Sequence, residues 1–181
     1  MPSPVDQIPQ TTQDFAQFKE LLYALVVMNK YQKVVETGTD VGDLTRILST
    51  ALQATQGQLL SLDLKPVGSW AAEWPVKNVQ FQQGDSRTAQ VAGEFDLLVL
   101  DAQGDAKDLA ALVREQLDRL GVWVKVGGKV VICRPYHQTY GQTVRETVEE
   151  WAKRQGLCWT VYPQGQGMLI IEITHLLRPT P

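Results

Sequence analysis

Apolar and polar positions along this chain follow two periods, and the switches between them mark out its elements. Phe15, Phe18, Leu21, Leu22, Leu25 and Val26 recur at helical spacing and predict an amphipathic helix over 14–29, whose apolar face is most simply core. Val34 and Val35 form a short apolar run that stops at Glu36; Gly38 and Gly42 follow, and Leu44, Ile47, Leu48, Ala51 and Leu52 return to helical spacing. That order is strand, tight turn, helix. Gln58–Asp63 predicts a buried second strand ending in a carboxylate, and Val79–Gln83 a third that runs into Gly84, Asp85 and Ser86. Between them, Pro66, Gly68, Trp70, Trp74 and Pro75 predict a loop with one helical turn.

The second half continues the alternation. Residues 95–101 form an apolar run suited to a central strand, and Ala106–Leu120 carries Leu109, Leu112, Val113, Leu117 and Leu120 on one helical face. A fifth strand is expected at 126–133, opened by a turn at Gly127 and Gly128, and a helix at 143–155 stopped by Gly156. Trp159–Tyr162 and 168–174 flank Gly165 and Gly167 as an antiparallel hairpin. Strands alternating with helices predict an α/β fold: a doubly wound, mostly parallel seven-stranded sheet with a C-terminal antiparallel hairpin. We expect one domain over 14–178 behind a flexible tail at 1–13, where Pro2, Pro4 and Pro9 oppose regular structure.

Composition changes this picture by exclusion. A net charge of −3, with lysines and arginines scattered, argues against nucleic acid as a partner. The first ten residues lack the basic and apolar regions of a leader, and the apolar run at 21–28 is far shorter than the ~20 residues of a membrane span, so a cytoplasmic protein with no membrane partner is expected. Cys133 and Cys158 exclude a disulfide framework and suit buried apolar positions. With His137 and His175 they match no zinc spacing, so no metal is expected.

The chemistry concentrates at 33–48. A strand feeding a glycine turn and a helix lets backbone approach a ligand and aims free N–H groups at an anionic group. A dinucleotide fingerprint would need glycine where Asp40 and Asp43 stand, and a phosphate loop would need lysine at Asp43. What remains is acid-x-Gly-x-x-x-Gly, formed by Glu36, Gly38 and Gly42. It resembles the first motif of the class I S-adenosylmethionine-dependent methyltransferases, of the small O-methyltransferase type, with Asp40 in place of the middle glycine. Asp63 stands about 20 residues past the turn, where nucleoside-binding folds keep an acid for ribose hydroxyls. The segment at 95–101, the glycines before the fifth strand and the terminal hairpin also resemble that class, in the same order.

The resemblance implies S-adenosylmethionine as cofactor and methyl transfer to a small molecule, most simply at a hydroxyl. Glu36 would then meet the cofactor's ammonium, with Gly38, Thr39 and Gly42 around its amino-acid end. Asp63 would meet the ribose, Asp85 and Ser86 the adenine, and Asp101 would face the site from the fourth strand. Trp70, Trp74, Tyr136 and Tyr140 are candidates for a substrate pocket, and His137, an imidazole just past the fifth strand, for the general base. A metal-dependent mechanism of this class would need an acid–amide pair after the fifth strand, where Cys133 and Arg134 stand, so metal independence is expected. A homodimer is compatible with the sequence. Two alternatives stay open: a protein that keeps this fold without turnover, and, behind it, an NAD-dependent oxidoreductase.

Overall fold

A computed structural model describes residue 8 and residues 17–73, 77–101 and 106–177. Its elements are α1 (Lys19–Met28), β1 (Lys33–Thr37), α2 (Asp43–Thr55), β2 (Gln58–Asp63), α3 (Trp70–Glu73), β3 (Val79–Gln83), β4 (Phe95–Leu100), α4 (Ala106–Leu120), β5 (Val124–Cys133), α5 (Gly141–Gln155), β6 (Trp159–Tyr162) and β7 (Met168–Glu172). Among the described residues seven strands form one sheet in the order β3-β2-β1-β4-β5-β7-β6. Strands β1 to β5 run parallel; β7 pairs antiparallel with both β5 and β6. The α/β sheet and its antiparallel end are those the sequence predicts. The tail at 1–13 and the first positions of the expected N-terminal helix lie outside the described residues, apart from Ile8, which is buried.

Neighbouring residues along each central strand serve opposite faces, as the pleat requires. Val34, Leu97, Val99, Val131 and Ile170 join Leu22, Leu44, Ile47 and Leu48 in one core under α1 and α2. Val35, Leu98, Leu100, Val130, Ile132 and Ile171 join Leu117, Val148 and Trp151 in a second core under α4 and α5. Burial on both faces is why these strands read as continuous apolar runs.

One boundary differs from expectation. The glycines before the fifth strand do not form a turn outside it; β5 already begins at Val124, and a bulge shifts its register on β4 between Phe95 and Leu97. A Cβ on Gly128 would lie 2.5 Å from the Asp96 carbonyl oxygen, so glycine is needed there because β4 passes too close for a side chain. The helix after β5 also starts two residues earlier than its periodicity suggests, at Gly141.

This topology brings the C-terminal ends of β1 to β5 to one edge, and the strand order reverses between β1 and β4. At the side of the molecule, Trp151 on α5 is fully buried, donates Nε1–H to Asp118 Oδ1 at 3.0 Å and fills the space over Gly121. Replacing Trp151 with Ala leaves a cavity and strips Asp118 of that donor. It should lower unfolding free energy by about 3–5 kcal/mol, read as a shift of the urea midpoint at neutral pH.

Candidate functional site

The turn between β1 and α2 is built from backbone that L-residues seldom adopt. Gly38 has φ +88°, Asp40 φ +42° and Gly42 φ +80°. A Cβ on Gly38 would lie 2.3 Å from the Asp101 carbonyl oxygen at the end of β4, so a side chain at this position would have nowhere to go. The turn is tied to its neighbours by Gly38 N–H to Leu62 O (2.9 Å), Asp101 N–H to Thr37 O (3.0 Å) and Gly42 N–H to Thr39 O (2.8 Å). Aspartate is among the few residues that tolerate the left-handed region, so Asp40 preserves the geometry that a middle glycine would give.

Behind the turn lies a buried polar network. Glu36 is fully buried; its Oε2 accepts hydrogen bonds from Thr45 Oγ1 and Ser61 Oγ, both at 2.7 Å, and its Oε1 has no partner. Ser61 Oγ also lies 2.6 Å from Thr39 Oγ1. Burial pushes the Glu36 carboxyl from its ordinary 4.5 up to about 8; the two hydroxyl donors oppose the rise, and the charges of Asp101 and Asp63 add to it. Burial thus favours the neutral form of Glu36, which is set under the turn.

In front of the turn is a cavity of about 350 Å³. Of the residues singled out from sequence, Gly38, Asp63, Asp85, Ser86 and Asp101 line it, whereas Glu36, Thr39 and Gly42 lie behind that wall. Asp63 accepts Lys65 N–H at 2.8 Å and Asp40 N–H at 3.1 Å, one on each oxygen, which fixes its carboxylate across the end of β2. Asp85 is clasped by Arg87, with Nε at 3.0 Å from both oxygens and Nη2 at 2.7 Å from Oδ2. Leu62, Leu109 and Leu112 supply an apolar wall. Gln116, which sequence reasoning passed over, is 2% exposed and donates Nε2–H to Ser86 Oγ (2.7 Å) and Thr37 Oγ1 (3.3 Å), joining the ends of β1 and β3. Its signal was present, since it is a polar residue beside Val113, Leu117 and Leu120 on the buried face of α4.

The aromatic candidates lie elsewhere. Trp70 does not line the cavity but covers the glycine turn from outside, and Trp74 falls outside the described residues. Tyr136 packs on Gly167, and its hydroxyl accepts from Arg145 Nη1 at 3.0 Å. Tyr140 is buried and stacks on His137, with ring centroids 3.8 Å apart and planes 9° apart. His137 Nδ1 accepts Thr139 N–H at 3.3 Å, which leaves the proton of a neutral ring on Nε2. Neither tyrosine nor His137 lines the cavity. After β5, Arg134 (φ +59°) donates Nε–H to Asp101 Oδ1 at 2.7 Å and brings Nη2 to the same oxygen at 2.5 Å. Cys133 is buried, and burial pushes its thiol pKa up, so it behaves as an apolar residue. No group of three or more His, Cys, Asp or Glu side chains suited to a metal occurs among the described residues.

No family model and no curated protein matches the chain in sequence. Solved structures do match it in fold. The methyltransferase PaMTH1 of Podospora anserina, bound to S-adenosylhomocysteine, superposes with a TM-score of 0.70 at 15% identity, over 97% of this chain and 89% of that one. The O-methyltransferase of Bacillus cereus, also with S-adenosylhomocysteine, gives 0.68 at 17% identity over 96% and 92%. TomG of Streptomyces achromogenes, an O-methyltransferase in complex with S-adenosylmethionine, gives 0.65 at 20% identity over 97% and 91%. The chain shares their α/β fold, antiparallel end included.

The buried Glu36 makes stability depend on pH. Between about 4.5 and about 8 the folded protein holds a proton that the unfolded chain has released, so unfolding free energy falls as pH rises through that window and levels off above it. The loss should be on the order of a few kcal/mol. Glu36→Gln cannot ionise and should flatten this dependence, gaining stability relative to wild type at pH 8.5 more than at pH 5, as read from urea unfolding at the two pH values.

Proposed function

We propose that this protein is an S-adenosylmethionine-dependent methyltransferase that acts on a small molecule, most simply at a hydroxyl, and needs no metal. The observation that carries the proposal is the charge of the cavity. Asp40, Asp63, Asp85, Asp101 and Asp108 line it against Lys65 and Arg87; Arg87 is paired with Asp85 and Arg134 with Asp101, and with Asp40, Asp63 and Asp108 set against Lys65 the cavity is acidic on balance. An acidic cavity attracts a ligand that bears a sulfonium and an ammonium. It repels the pyrophosphate of a dinucleotide, which also lacks the glycine spacing it would need.

The residues fit such a cofactor by parts. Asp63 keeps lone pairs on both oxygens beyond the backbone N–H groups it accepts, and these can take the ribose hydroxyls. Leu62, Leu109 and Leu112, with Asp85 and Ser86 at the rim, offer a flat base an apolar wall and a polar edge. The exposed Asp40, beside Gly38, is better placed for the ammonium than the buried Glu36. When bound, the cofactor supplies an activated methyl group. The chain's part is then to align the acceptor for in-line displacement at the open ends of β4 and β5.

Metal independence is supported by Arg134, whose guanidinium already neutralises Asp101, the carboxylate a cation there would need. A fold kept for cofactor binding without turnover is the second reading. It is favoured by the position of His137, which stands away from the cavity with Nδ1 engaged.

Titration calorimetry should give micromolar binding of S-adenosylhomocysteine and none of NAD; binding of NAD alone would reject the methyltransferase reading. Asp63→Ala should weaken S-adenosylhomocysteine by about 1–3 kcal/mol, the range for a lost buried hydrogen bond. Once an acceptor is found, transfer should proceed unchanged in EDTA. A loss that magnesium restores would show that Arg134 yields its place to a metal.

A further inference from the structure

We infer that Trp70 is a positioning residue that clamps the glycine turn into its ligand-binding form. The inference rests on the proposed cofactor reading for what the turn binds, though not for the clamp itself. Four contacts converge on this one side chain. Its Nε1–H donates to Asp40 O at 3.2 Å, taking up a carbonyl in the strained middle of the turn. Its benzo ring covers Gly42 so closely that a Cβ on that residue would lie 2.4 Å from Cη2 and Cζ2. Arg46, one turn into α2, lies over the indole face with its guanidinium carbon 4.8 Å from the ring centroid, and its buried Nε has no hydrogen-bond partner. From below, Phe81 of β3 meets the ring edge-on at 5.6 Å.

The turn is held from its inner side by backbone hydrogen bonds and by the Glu36 network, and Trp70 adds the contact on its outer side. Gly42 caps α2 without a side chain, and no side-chain cap hydrogen bond is made at that position. Asp40, left-handed and exposed, has more favourable backbone conformations available to it elsewhere. Trp70 opposes that relaxation from the outer side while the Asp101 carbonyl blocks it from the inner side. The indole is rigid and holds both an apolar face and one donor, so a single residue restrains both Asp40 and Gly42. Trp70 also belongs to the segment that follows β2, whose Leu64 and Lys65 line the cavity, so the same contact joins the turn to that wall.

Two variants test this. Trp70→Leu removes ring and donor; Trp70→Phe keeps an aromatic ring between Arg46 and Phe81 but removes the donor and the outer edge of the benzo ring that covers Gly42. Amide hydrogen exchange of a peptide covering 37–46 reads the turn without ligand, and calorimetry with S-adenosylhomocysteine reads binding. Trp70→Leu should speed exchange in the turn and weaken binding by about tenfold or more, and Trp70→Phe should give a smaller effect of the same sign with an unchanged melting temperature. A residue that only supports the fold would shift melting and leave affinity in the folded variant alone. Unchanged exchange, or faster exchange with unchanged affinity, overturns the inference. If Trp70→Leu does not fold, Trp70→Phe decides by the same criteria. Wild-type protein that binds no S-adenosylhomocysteine, while exchange still responds to Trp70→Leu, overturns the cofactor reading and supports the clamp.

Discussion

The close approach of the turn after β1 to the end of β4 is the constraint on which the rest of the site depends. With the Asp101 carbonyl where a Gly38 Cβ would stand, the chain leaves β1 through left-handed backbone and enters α2 at an angle set by Gly42. This opens a gap between the ends of β1 and β4, where strand order reverses and a cavity forms for geometric reasons alone. The parallel pairing of β1 with both β2 and β4 brings Asp63 and Asp101 to the two sides of that gap. Position thus comes from the sheet, and access from the glycines.

The same packing explains a carboxyl in the core. Glu36 shares the α2-facing side of β1 with Val34, under a helix whose Thr45 and Ser49 are also buried. An ionised carboxylate there would have two hydroxyl donors on one oxygen and none on the other, too few to replace water. A neutral acid is compatible with that supply, and the surrounding acids favour it further. The acidity in front of the turn therefore comes from Asp40, Asp63 and Asp108, since Asp85 and Asp101 are paired with arginines, while Glu36 holds the turn from behind.

How much of this was legible in the sequence follows the same division. Strands buried on both faces announce themselves as apolar runs, and glycine spacing located the turn, because both are local consequences of burial and backbone geometry. Asp63, Asp85, Ser86 and Asp101 were legible because each lies at or just past the end of a strand that could be read. The facing of Glu36 was not legible: spacing cannot tell an acid that faces the cavity from one that faces a helix when a single residue step along the strand separates the two. The surfaces that Trp70 and Tyr136 cover were not legible for a related reason. A ring in a loop covers whichever surface lies beneath it, and for Trp70 that surface was the outer side of the turn, whereas Tyr136 settled on Gly167. The bulge in β5 was hidden because two adjacent glycines suit a turn as well as a close strand crossing.

Arg134 bears on how the fold handles charge at its open edge. A buried carboxylate at the end of β4 needs a counter-charge, and either a bound cation or a basic side chain can supply one. Here the fifth strand ends by turning Arg134 back through left-handed backbone, so that two guanidinium nitrogens meet one oxygen of Asp101. A covalently attached counter-charge cannot dissociate or be exchanged, and it fixes the carboxylate in one orientation. Because Asp101 lines the cavity, this pairing also removes one negative charge from the cavity wall at the end of β4. The same turn that carries Arg134 back sets His137 against Tyr140, with His137 N–H bonded to the Arg134 carbonyl, so the stacked pair holds the segment that places the guanidinium.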